Sequence, residues 1–247
     1  MFSQQDRDRA YEHVLAWATS DPRVVAGAVV GSLADHPGDR FSDLDLSFGV
    51  RDDVPVVHVL EDWSMRLRNE FDAAHLFDLQ SGAALYRVFL LRGCLQLDLS
   101  FAPAAHFGAL GPHFRLLFGA AVEKPLPHPP APSHLFGYGV HHAVRARVCI
   151  ARARYWQAEY WISAVRDHAL TMGCVRLALP AHYGKGFDEL PDALRALAAG
   201  ALVRSLEPAD LLDALHRATE LLLSEGAATS VCQPHLAERV REFVLMA

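Results

Sequence analysis

Apolar and polar positions along the chain follow two regimes. Up to about residue 120, short apolar or alternating runs are interleaved with helical spacing; beyond about residue 135 only helical spacing remains. Ser3 followed by Asp6 reads as a helix start, and Ala10, Tyr11, Val14, Leu15 and Ala18 continue it at helical intervals. After the Asp21-Pro22 turn, Arg23–Val30 is an almost wholly apolar run, the pattern of a buried strand, which Gly31-Ser32 ends abruptly. Leu44 and Leu46 then alternate with Asp43 and Asp45. Val56, Val59, Leu60, Trp63 and Leu67 mark an amphipathic helix. The runs Ala73–Leu79 and Ala84–Leu91, parted by Ser81-Gly82, predict a hairpin, and Leu95–Phe101 alternates strictly. The order helix, strand, strand, helix, strand, strand, strand predicts a small mixed sheet with helices packed against it, an α+β or α/β domain, of which α+β is the expected class.

Residues 123–134 carry five prolines (Pro125, Pro127, Pro129, Pro130, Pro132), which predict a stiff, extended connector. Helical spacing follows near 135–155, 156–178, 191–203, 208–225 and 234–245, punctuated by prolines. The expected organisation is an α+β domain over 1–122, a proline-rich linker over 123–134, and an all-α helical bundle domain over 135–247.

The chemistry concentrates in the first domain. A strand's period of two sends the carboxylates of Asp43 and Asp45 to one face and both leucines to the other. Carboxylates held that close repel, so one pKa rises unless a cation sits between them. Oxygen-only ligands suit Mg²⁺, which takes one or two carboxylates together with water and substrate phosphates. At Gly31 a phosphate can approach the backbone closely, and Ser32 adds a hydroxyl and an amide. A third acid, Asp98, shares the polar face of its strand with Gln96 and Ser100. If that strand pairs with the one carrying Asp43 and Asp45, three carboxylates converge, a set able to bind two metal ions for in-line phosphoryl displacement. The competing reading of Asp-x-Asp is a solvated strand edge or turn.

Gly31-Ser32, ten intervening residues, Asp43-Leu44-Asp45 and a later strand with Asp98 together resemble the signature of the DNA-polymerase-beta-type nucleotidyltransferase superfamily. The size and the helical second half resemble its aminoglycoside and lincosamide nucleotidyltransferases. The motif match spans roughly residues 20 to 102. The resemblance implies that Gly31 and Ser32 hold a nucleoside triphosphate, that Asp43 and Asp45 bind nucleotide through metal, and that Asp98 ligates metal or acts on the incoming hydroxyl. It further implies a nucleoside monophosphate, AMP from ATP, moved onto a small-molecule hydroxyl with release of pyrophosphate. In the antibiotic-modifying members a carboxylate of the helical half deprotonates the acceptor. Glu159, in the polar stripe Glu159, Ser163, Arg166 and Asp167, is the candidate here, with Asp167 in reserve and a solvated pairing of Glu159 with Arg166 or Ser163 as the alternative. Two other functions stay open: modification of a protein or a tRNA, as toxin–antitoxin nucleotidyltransferases perform, and a nucleotide-binding module without catalysis.

Charge narrows the partners. A net charge of −6 over 247 residues is a poor match to a long polyanion and disfavours nucleic acid; a small polycation suits it better. The four cysteines are widely spaced, without a Cys-x-x-Cys pair, and the fourteen histidines show no metal-ligand spacing. No apolar run approaches membrane-spanning length, and the first residues lack the layout of a signal peptide, so a cytoplasmic protein without membrane contact is expected. Oligomeric state is not legible.

Overall fold

The computed structural model describes residues 1–35, 38–125 and 128–246. The chain divides into two compact units, residues 1–127 and 128–247. Leu126 and Pro127, inside the proline-rich stretch, lie outside the described residues.

The first unit is built on a six-stranded mixed sheet. Its strands are β1 (Val24–Val30), β2 (Leu44–Val50), β3 (Ala74–Ser81), β4 (Ala84–Leu91), β5 (Leu95–Pro103) and β6 (Phe114–Phe118), in the order β3-β4-β5-β2-β1-β6. Only β2 and β5 run parallel; the other neighbours are antiparallel. Helices α1 (Gln4–Ser20) and α3 (Val56–Phe71) cover one face, and α2 (Ser32–Asp35) is a single turn after β1. Ser3 and Asp6 form a reciprocal capping box on α1, satisfying amides that the helix leaves free. The covered face is apolar because alternation places Leu44, Leu46 and Phe48 of β2 beside Leu95, Leu97, Leu99 and Phe101 of β5, each at most 2% exposed. Trp63 of α3 plugs this core, with ring centres 5.2 Å from Phe48 and 5.1 Å from Phe101, and its Nε1 donates to Asp21 at 3.0 Å. The Arg23 guanidinium beside Asp21 holds that carboxyl down at about 2 and locks the turn entering β1.

Two features depart from the sequence pattern. The alternating strand starts at Leu44, so Asp43 is the last residue before β2 rather than part of it. Strand β6 was not foreseen, although the run Phe114–Phe118 follows a Gly111-Pro112 turn; it lies at the sheet edge beside β1.

The second unit is helical: α4 (Pro132–Ala151), α5 (Tyr155–Arg176), α6 (Asp192–Gly200), α7 (Pro208–Ala228) and α8 (Pro234–Leu245). Pro132 stands in the first turn of α4, where its fixed φ is pre-organised for helix, so the expected linker ends three residues earlier than its composition suggested. Arg176 closes α5 against α7 with a two-pronged ion pair to the buried Glu225, at 2.9 and 3.0 Å. No helix among the described residues is long and apolar enough to cross a membrane.

Between α4 and α5, Tyr138, His168, His142 and Trp161 form a continuous aromatic column, with ring centres 6.1, 5.0 and 4.7 Å apart in that order. Burial, then the neighbouring His168 and His141, push the His142 imidazolium pKa down. Burial also lowers His168, against the pull of Asp167. Imidazoles whose folded pKa lies below the usual value of about 6.5 stabilise the fold in their neutral form. That contribution is complete above about pH 6.5 and is lost as pH falls toward the lowered values. Carboxylates lowered by their partners, such as Glu220 beside Arg241, act in the same direction but in a more acidic window. The thermal midpoint is therefore expected to drop by a few degrees between pH 7.5 and 5.5, and to drop less in His142→Phe. Equal slopes for the two proteins would remove the histidine column as the cause.

Candidate active site

Three of the sequence-selected acids gather on the sheet face opposite α1 and α3. The register pairs Asp45 of β2 directly with Asp98 of β5, flanked by the pairs Leu44–Leu97 and Leu46–Leu99. Adjacent strands run about 4.8 Å apart, so the same alternation that drives the leucines into the core places both carboxylates side by side on the other face. A slip of one residue in either strand would turn that strand's acid into the apolar core, which pins the register. Asp43 stands just ahead of β2, and all three acids are half-buried.

The Asp98 carboxyl is pushed above the usual range by burial and additionally by the charge of Asp43, while a hydrogen bond from Gln96 Nε2 at 3.0 Å pulls the other way. Burial is the larger cause of the rise, and the Asp43 charge adds to it. Cation binding would reverse it.

Gly31 sits against this cluster. Its backbone is left-handed, φ +68°, and a Cβ added there would collide with Asp45 Oδ2. Any other residue here would be strained and would push the turn or the carboxylate aside. The Gly31 amide donates to the His113 carbonyl at 3.2 Å, and its carbonyl accepts from the Ala34 amide at 3.1 Å, so the turn into α2 is fixed on both sides. Ser32 opens α2 and is exposed. Arg115 of β6 holds the far side of this turn, donating to the Ala34 carbonyl at 3.0 Å and the Leu33 carbonyl at 3.2 Å. The sequence reading missed Arg115 and His113 because nothing in their spacing ties them to residues 31–35; the edge strand brings them there.

Glu159 lies in the helical unit, on α5. Ser163 Oγ donates to its Oε1 at 2.8 Å. Asp167, the reserve candidate, is paired with Arg166 at 2.9 Å. Arg166 therefore turns to Asp167 and not to Glu159.

Among the described residues, no group of three or more His, Cys, Asp or Glu side chains is arranged to hold a metal ion by itself. The donor set nevertheless suits Mg²⁺, which asks for one or two carboxylates and takes its remaining ligands from water and phosphate. Asp45 and Asp98 supply such a pair, with Asp43 close enough for its charge to be felt at Asp98.

No protein-family model matches the chain, and no curated protein sequence matches it. Among solved structures, the chain is similar to an aminoglycoside 6-adenyltransferase from Bacillus subtilis, at 13% identity and TM-score 0.42, over 99% of this chain and 98% of that one. It is also similar to MenT4, a nucleotidyltransferase toxin from Mycobacterium tuberculosis, at 17% identity and TM-score 0.26, over 98% and 92% of the two chains.

Proposed function

We propose that the chain is a Mg²⁺-dependent nucleotidyltransferase that moves AMP from ATP onto a hydroxyl of a small molecule such as an aminoglycoside. The observation that supports this best is the direct pairing of Asp45 with Asp98 across parallel strands, beside a left-handed glycine turn that passes close under the Asp45 carboxylate. In the proposed reaction the acceptor oxygen forms a bond to the α-phosphorus, the bond from that phosphorus to the bridging oxygen breaks, and pyrophosphate leaves. Asp43 and Asp45 would hold Mg²⁺ together with the triphosphate, and Asp98 would complete the set beside the acceptor. The bound ion would neutralise the developing charge and align the reacting groups. Gly31 lets the phosphates approach the backbone, and Ser32 offers its amide and hydroxyl. The acids contribute positioning and electrostatics rather than covalent chemistry. Glu159 is the proposed acceptor of the hydroxyl proton; a Glu159→Gln variant that keeps full kcat with an unchanged pH profile would remove it from that role.

The test is a pyrophosphate-release screen with Mg²⁺ and labelled ATP across aminoglycosides, lincosamides and plain nucleotides. Release with label on a drug-sized product is the expected result. Label on a protein or an RNA would shift the acceptor to a macromolecule. Nucleotide binding by calorimetry without release under any condition would leave a binding module and overturn the enzymatic reading.

A further inference from the structure

Arg7 lies on α1, outside the segments that carry the acids, yet it reaches the loop that delivers one of them. Its side chain is 2% exposed. Nη1 donates to the Asp39 carbonyl at 2.5 Å and stands 3.5 Å from the Ser42 carbonyl, and Nη2 stands 3.5 Å from Asp8.

The turn it grips is closed on itself. Asp39 Oδ1 accepts from the Phe41 amide at 2.8 Å and from Ser42 Oγ at 3.0 Å, while Ser42 Oγ in turn accepts from the Asp39 amide at 3.0 Å. Gly38 precedes it with φ +69°, where a Cβ would collide with Leu33 and Ser42. Asp43 is the next residue. Asp39, Arg40 and Phe41 are exposed, so this turn presents little apolar surface to the core.

Burying a guanidinium is costly unless its donors are used. Here Nη1 is used on the backbone of a surface turn that runs directly into Asp43. Carbonyl acceptors fix where the backbone lies, whatever the side chains of the turn are. The gripping point is also short of β2, so the strand register alone does not place Asp43.

Resting on the nucleotidyltransferase reading above, we propose that Arg7 is a positioning residue, which anchors the Asp39–Ser42 turn to α1 and so sets the Asp43 carboxylate beside Asp45 and Asp98. Residues that orient metal ligands from behind typically affect metal affinity by 10–100-fold.

The experiment titrates Mn²⁺, as a spectroscopic stand-in for Mg²⁺, into the full chain by electron paramagnetic resonance. Wild type, Arg7→Met, Arg7→Lys, Ser42→Ala and Val14→Ala are compared, with thermal midpoints recorded. Arg7→Met is expected to weaken Mn²⁺ binding about tenfold, and Arg7→Lys, which keeps one charged donor, to recover part of it. Val14→Ala truncates a fully buried residue of the same helix; it should lower the midpoint and leave Mn²⁺ affinity unchanged. Should Arg7→Met not fold, Ser42→Ala opens the same turn from its outer side and carries the same expectation. Folded Arg7→Met or Ser42→Ala with wild-type affinity overturns the proposal, as does equal weakening in Val14→Ala. An Asp45→Asn variant that binds Mn²⁺ like wild type identifies a different failure, that of the metal-site reading itself.

Discussion

Asp45→Asn is expected to lower nucleotidyl transfer by about three orders of magnitude, with the thermal midpoint close to that of the wild type. A metal held at a transferring phosphoryl group supplies several kcal/mol, and each 1.36 kcal/mol is tenfold in rate; removing one ligand forfeits much of that. The fold should tolerate the change because the asparagine keeps the shape of the side chain, and the core face of β2 is made by Leu44, Leu46 and Phe48. The companion change Asp43→Asn has a second readout. It removes the charge that, after burial, raises the Asp98 carboxyl, so the Asp98 pKa, followed by carboxyl-carbon NMR, should move down toward the ordinary range. A transfer rate near wild type in either variant would falsify the assignment of these acids. An Asp98 that titrates identically with and without Asp43 would separate the two residues.

Gly31→Ala should be nearly as damaging, for a steric reason. The residue is left-handed, a conformation that costs an L side chain about 1–2 kcal/mol, and the added methyl would collide with Asp45 Oδ2. Either the turn or the carboxylate must move. Misplacement of about 1 Å at a reacting centre can cost about a hundredfold, so we expect transfer to fall by about that factor and stability by about 1–2 kcal/mol. Steady-state kinetics with a parallel denaturant titration measures both. An alanine variant with normal kcat would show that the glycine serves the turn alone and that Asp45 does not depend on it.

Much of the first unit was legible because its signals are local. The period of two in Leu44–Leu46 and Leu95–Phe101, the capping pair Ser3 and Asp6, and the helical stripe from Val56 to Leu67 each act within a few residues. The end of the linker was misplaced because proline, which breaks a helix in its interior, also starts one well. Strand β6 escaped because an edge strand of five residues carries too short a pattern to stand out. The pairing of Arg176 with Glu225 joins two helices through side chains 49 residues apart, and no local spacing announces it.

The sequence by itself determined that Asp45 and Asp98 lie on the polar faces of alternating strands and which segments form β1 to β5, since side-chain direction alternates with backbone geometry whatever the partner. Only the tertiary structure decided that β2 and β5 are neighbours in the register that sets Asp45 against Asp98, that Asp43 enters from a turn, and that a buried arginine from α1 and an edge arginine from β6 brace the two loops around them. The physical reason is that strand pairing and loop bracing depend on how distant apolar faces close over one another, and that closure is a property of the assembled core rather than of any segment within it.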